Sequence, residues 1–207
     1  TLMHTLAKNE SFSELLEQAR SEKNLHKIRT YLTLFEEYST YMTRDSKLRT
    51  LSFLYELLMH REGDVRRNAA RIMGQILANS GPKYRKELPD GVRNKEITAP
   101  TVMALLEEST RLWDEYIGLC LHPDVKISAK HAQRIANSLK IVTQSLFKSC
   151  DPQEARHYLS PLYTRLTKYS SGNDRFVLVD SILQVPFELL RPSELTTILT
   201  TLRHALN

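Results

Sequence analysis

The residues that could carry chemistry are few and lie far apart along the sequence. Cys120 and His122 form the one close cysteine and histidine pair, and Trp113 precedes Asp114. A metal site or a nucleophilic site needs several such groups at a defined spacing, for example two histidines one helical turn apart. The seven histidines contain no such pair, and the sequence has neither a glycine-rich phosphate loop nor a Cys-x-x-Cys motif. We therefore predict no catalytic site, no metal and no cofactor.

The same candidate residues have structural interpretations. Trp113 lies on an apolar stripe with helical spacing, which predicts a core side chain. Asp114 is predicted to be solvated, because neighbouring charges already form an i,i+4 ladder on that side of the helix. Cys120 and Cys150 are predicted to be reduced and buried, since a chain of 207 residues can build a core without disulfides.

The elements that would position these residues are helices. Hydrophobic residues make up 41% of the chain and charged residues 26%, with only 6 glycines and 8 prolines, which nearly excludes a fold of many short strands. Apolar residues recur at steps of three and four almost from end to end. We predict an all-α fold of about nine helices in antiparallel pairs. No apolar run approaches the roughly 20 residues that a membrane span needs.

One segment interrupts the helical pattern. Residues 80–100 contain three of the prolines and two of the glycines, so they predict a long loop between helix pairs. The loop carries a basic cluster with one aromatic residue, formed by Lys83, Tyr84, Arg85 and Lys86. Such a cluster suits contact with a phosphate or an acidic peptide, although solvation alone would also explain it.

In two of the predicted helix pairs, the turn between the two helices and the start of the second helix have similar sequences. The segment Asp64–Ile76 starts with Asp-Val-Arg and continues with two alanines, a glycine and an isoleucine. The segment 122–129 contains Asp124-Val125-Lys126, then two variable residues and an alanine, and a weaker third copy starts at Asn173. Repetition at such a period is typical of stacked helix pairs. We predict that the second helix of each pair starts at the aspartate.

This pattern resembles the HEAT-repeat family of armadillo-type α-superhelices. Asp64–Ile76 carries almost the whole family pattern, and 122–129 carries about half of it. The resemblance implies an α-α superhelix over residues 1–207, in which the aspartate and the basic residue of each copy join adjacent repeats. It assigns this structural role to Asp64, Arg66, Asp124 and Lys126.

The resemblance also implies that the second helices line a concave wall. Their predicted exposed positions form a basic strip of Arg67, Arg71, His131 and Arg134. The alternative interpretation of this strip is an ordinary solvated helix face, because arginine also favours helices.

A non-catalytic scaffold is the function that these observations favour, binding another protein or another domain of the same chain through the concave face and the 80–100 loop. The alternative is a protein that contacts nucleic acid, including a repeat enzyme of the DNA glycosylase type. A net charge of +5 permits this alternative without requiring it. We expect a cytoplasmic protein with no membrane partner. The absence of an initiator methionine and the helical pattern at the last residues are typical of a piece of a longer protein.

Overall fold

The structure, a computed structural model, describes residues 11–39, 42, 44–78, 99–169 and 172–206. These residues form helices and turns and contain no strand. The α-helices are α1 (Ser11–Ser21), α2 (Leu25–Tyr38), α3 (Arg44–Leu57), α4 (Gly63–Ala78), α5 (Ala99–Leu121), α6 (Ala129–Ser149), α7 (Ala155–Thr164), α8 (Asn173–Ile182) and α9 (Pro192–Leu206). A π-helical turn, Arg165–Tyr169, follows α7, and a 3₁₀ turn, Phe187–Leu189, precedes α9. The predicted all-α class is confirmed for the described residues.

The helices contact one another in a regular order along the chain. Several consecutive helices pack together, as α3 does on α4 and α5 on α6. Most of these helices also contact the helix two places further along the chain, as α1, α2, α4, α5 and α6 do. The interface of α4 with α6 is the most extensive. We call α1, α3, α5, α7 and α9 the odd row, and α2, α4, α6 and α8 the even row.

The centre of the core is α4. Its buried residues surround most of the helix, so α4 packs against α2, α3, α5 and α6 at once. The packing of α3 against α4 buries Leu54, Leu58, Ile72 and Ile76, and Leu51 is half-buried. Trp113 is also fully buried, as predicted, and its indole Nε1 donates to the carbonyl oxygen of Tyr158 at 2.9 Å.

An ion pair accompanies each step along the odd row. The pairs are Arg20 with Glu56, Arg44 with Glu108, Arg165 with Asp114 and Arg156 with Glu194. Such partly exposed pairs contribute about 0–1 kcal/mol each to stability. Their main effect is therefore on how neighbouring helices of the odd row align with each other. The prediction that Asp114 is merely solvated is wrong, because Asp114 Oδ1 accepts from Arg165 Nε at 2.9 Å. The residue that pairs with it lies 51 positions away, beyond the reach of a helical pattern.

Local contacts set the start of α7, and one predicted boundary, the end of the 80–100 loop, differs from the observed one. α7 begins at Ala155, because the Asp151 carboxylate accepts from the backbone N–H of Gln153 and forms a separate turn. The helix then passes through Pro161 and widens into the π-helical turn. α5 begins at Ala99, so the last two residues of the predicted 80–100 loop are helical.

Lys47 lies half-buried between α3 and α5, with Nζ 3.4 Å from Ser109 Oγ. Burial lowers the pKa of its ammonium group to about 8, and the nearby Glu108 carboxylate only partly opposes this. The unfolded chain therefore binds the proton more tightly, and stability rises with pH between about 8 and the unfolded value of about 10.4. We expect Lys47→Met to raise the free energy of unfolding at pH 7 by about 1–3 kcal/mol.

The difference in the free energy of unfolding between Lys47→Met and the wild-type protein should shrink to near zero at about pH 10.5. Urea unfolding of both proteins at the two pH values measures it, with the exposed Lys27→Met as the control. A Lys47→Met protein that is less stable at both pH values would show that the ammonium group stabilises the interface between α3 and α5.

Candidate functional site

The first predicted repeat turn joins two helices of the even row. Asp64 Oδ2 accepts from Arg29 Nε at 2.8 Å, which connects the start of α4 to α2. This hydrogen bond lowers the pKa of the Asp64 carboxyl group. Arg66 instead donates to the carbonyl oxygens of His60 and Arg61, at 2.6 and 2.9 Å. It therefore closes the turn between α3 and α4, while Asp64 makes the contact to the preceding pair.

The second predicted repeat turn does not begin a helix. Asp124 Oδ1 accepts from the backbone N–H of Lys126 at 3.1 Å, which folds the segment into a local turn. α6 starts only at Ala129, where Ser128 Oγ accepts from the N–H of His131 at 3.2 Å. The prediction that a helix starts at Asp124 is wrong, because Ser128 provides the N-cap. Val125 in this turn is 97% exposed, whereas Val65 of the first copy is buried.

Two members of the predicted basic strip are engaged inside the fold. Arg71 donates to both carboxylate oxygens of Glu36, at 2.6 and 2.9 Å, and lowers the pKa of that group. Arg134 Nη1 donates to the carbonyl oxygen of Met59 at 3.0 Å, just beyond the end of α3. Arg67 is exposed and His131 half-buried, and neither side chain has an ion pair within the described ranges. Only Arg67 and His131 are thus available to a ligand without the loss of an internal contact.

The loop cluster of Lys83, Tyr84, Arg85 and Lys86 lies outside the described residues. Its role as a contact site stays a prediction.

The outward face of α6 carries a set of residues that the sequence analysis missed. Six polar side chains recur at steps of three and four residues, and all are exposed: Lys130, Gln133, Asn137, Lys140, Gln144 and Lys148. We call them the lysine–amide stripe. None of the three lysines has an ion pair in the part of the chain that the structure describes. α6 contains no Asp or Glu, so no acidic residue of this helix neutralises the stripe.

The spacing of the stripe limits what it can bind. Ten and eight residues separate its lysines, which corresponds to about 15 and 12 Å along a helix. Uncharged amides fill the intervals, and Gln133 Nε2 donates to Asn137 Oδ1 at 3.0 Å. Such a surface offers sparse positive charges with hydrogen-bonding groups between them. It suits a partner whose carboxylates are two to three helical turns apart better than a closely spaced row of phosphates.

The cysteine and histidine pair does not form a reactive centre. Cys120 is 1% exposed, and burial raises the pKa of its thiol to about 12, which keeps it protonated. His122 lies on the exposed turn, with Nε2 3.3 Å from Asp174 Oδ2. Among the described residues, no group of three or more His, Cys, Asp or Glu side chains could hold a metal ion. No helix in those ranges is long and apolar enough to cross a membrane.

No protein-family model matches the chain, and a search of curated proteins finds no significant relative.

Proposed function

We propose that this protein is a non-catalytic scaffold of the HEAT-repeat, armadillo-type kind, which binds an acidic segment of another protein or of another domain along α6. The observation that carries the proposal is the lysine–amide stripe, a charged face with no acidic partner among the described residues. The two-row contact order supports the α-superhelical arrangement, because stacked helix pairs contact their next neighbours and little else. The two buried free cysteines are compatible with a cytoplasmic protein.

The alternative is contact with nucleic acid, including a repeat enzyme of the glycosylase type. The same three lysines are the observation in its favour, since phosphate contacts need only positive charge. Trp113 argues against base stacking, because its ring is fully buried and its N–H is already bound to Tyr158. Two basic residues of the predicted strip, Arg71 and Arg134, also have internal acceptors.

Charge reversal on α6 distinguishes binding at the lysine–amide stripe from nonspecific electrostatic attraction to the net positive charge. The probe is a fluorescent, alanine-rich helical peptide with glutamates two to three turns apart. We expect Lys130→Glu/Lys140→Glu/Lys148→Glu to weaken its binding at least about tenfold, as measured by anisotropy, and to remove most of its salt dependence. The thermal unfolding of the variant should change little, since all three side chains are exposed.

The matched control is Lys23→Glu/Lys27→Glu/Lys168→Glu, which changes the net charge equally at exposed positions elsewhere. An equal loss in both variants would mean that the peptide senses only the net charge. A single-stranded RNA or duplex DNA that binds more tightly than the peptide at about 150 mM salt would favour the nucleic-acid alternative.

A further inference from the structure

The amides and the lysines of the lysine–amide stripe occupy different positions across its width. Successive residues of an α-helix are rotated by about 100°, so the position of each side chain around α6 follows from its number. Gln133, Asn137 and Gln144 lie within about 20° of the middle of the stripe. The three lysines lie about 40° to one side or the other of the middle. The amides therefore form a central line, and the charges form its two edges.

The two edges of the stripe carry different numbers of charges. Lys130 and Lys148 are 18 residues apart, which is five full turns of about 3.6 residues, so both lie on the same edge. That edge is the one nearer to α4, because Ser145 lies further round α6 on this side and donates to the Arg71 carbonyl oxygen. Lys140 lies alone on the opposite edge. A partner that fits the stripe must therefore offer negative charge on both of its own sides.

A central line between two charged edges is the layout of a helix face that packs against a second helix. In coiled coils the central residues pack against the partner helix, and charges at the flanking positions pair with charges of the partner. The outward face of α6 has amides where such helices usually have apolar residues. An apolar partner would cover these amides without exchanging hydrogen bonds with them, which is unfavourable for each amide that loses contact with water.

Much of the hydrogen-bonding capacity of the central line is unused within the fold. Gln133 Nε2 donates to Asn137 Oδ1 at 3.0 Å, which leaves the oxygen of Gln133 and the nitrogen of Asn137 without a hydrogen-bond partner among the described residues. The same holds in those ranges for both polar atoms of the Gln144 amide. An amide side chain both donates and accepts, so amides of a partner helix can pair with all of these atoms.

Resting on the proposed function, we propose that the acidic segment bound along α6 is an α-helix whose own facing side has a central line of glutamine or asparagine residues and glutamates at both edges. The glutamates pair with the lysines on the two edges of the stripe and supply most of the attraction. The central amides select the partner, as polar central residues do in coiled coils at some cost in affinity. An acidic helix with an apolar centre is disfavoured by the same amides.

The test compares two fluorescent helical peptides that carry the same glutamates and differ only at three central positions, which are glutamine in one and leucine in the other. We expect the glutamine peptide to bind the wild-type protein at least about tenfold more tightly by anisotropy at about 150 mM salt. Gln133→Leu/Asn137→Leu/Gln144→Leu should reverse this preference, because leucines of the protein then pack against leucines of the peptide. Both peptides are kept at nanomolar concentration, so that the leucine peptide does not self-associate.

The matched control is Gln18→Leu/Thr33→Leu/Thr196→Leu, which adds three leucines at exposed positions of other helices and should keep the preference for the glutamine peptide. Circular dichroism checks that each variant is folded. Equal or tighter binding of the leucine peptide to the wild-type protein would overturn the amide-centred partner, whereas the proposed function would stand if charge reversal on α6 still weakened both peptides. Charge reversal that weakens neither peptide would contradict the proposed function and this inference together.

Discussion

Gly74→Ala is expected to lower the free energy of unfolding by about 2–4 kcal/mol. An added Cβ atom would meet Ser145 Cβ and Val142 O at 2.6 Å and the Leu146 backbone nitrogen at 2.8 Å. Two of these three atoms belong to the backbone of α6 and cannot rotate away. The helices would have to separate at the most extensive interface of the fold. Chemical denaturation, followed by the fluorescence of Trp113, measures the loss.

Gly118→Ala is the matched control for this prediction. Gly118 also lies in a long helix, but a Cβ atom there would meet only the end of the Arg165 side chain, at 3.1 Å. That flexible side chain can shift, and alanine is favoured over glycine inside a helix by about 0.5–1 kcal/mol. The control should therefore be neutral or slightly stabilising. Equal destabilisation by the two substitutions would contradict the close approach of α4 and α6.

Ile72→Ala is expected to lower the free energy of unfolding by about 2–5 kcal/mol, because it leaves a cavity in the centre of the core. Ile72 is 1% exposed and belongs to the helix that contacts four others. The urea midpoint should fall with little change in the m-value, since the exposed area on unfolding stays nearly the same. Leu48→Ala on α3 is the control, because Leu48 is 37% exposed and should lose less than about 1 kcal/mol. A loss below about 1 kcal/mol for Ile72→Ala would mean that this core can collapse around the cavity.

The helical spacing of apolar residues was sufficient to predict the helices, but not which residues of α4 and α6 occupy corresponding positions. The stripe through Ile72 and Ile76 has the 3.6-residue period of a buried helix face, and both residues are buried. The copy at Asp124 was aligned with Asp64 on an aspartate, a valine, a basic residue and an alanine. Burial instead matches Ala69 and Met73 with Ile135 and Leu139, because α6 starts later, at Ala129.

The misplaced register explains why the candidate site was only partly predicted. With that register, the predicted exposed positions included Arg134, which is bound to a backbone carbonyl, and not the outward face of α6. The sequence does contain a signal for that face, since the 21 residues of α6 include three lysines at helical spacing and no acidic residue. The contacts of Arg71 with Glu36 and of Arg165 with Asp114 join residues 35 and 51 positions apart. Such pairs depend on how helices stack, which no single helical pattern contains.

The most direct test of binding along α6 is to observe its lysines while a ligand binds. Reductive methylation with a ¹³C label gives each lysine its own NMR signal and keeps its positive charge. On addition of the acidic helical peptide at about 150 mM salt, we expect the largest shifts at Lys130, Lys140 and Lys148. The signals of Lys83 and Lys86 would show in the same spectra whether the loop cluster takes part. Unchanged α6 signals at saturating peptide, or larger shifts with RNA than with the peptide, would contradict a protein-binding scaffold that uses this face.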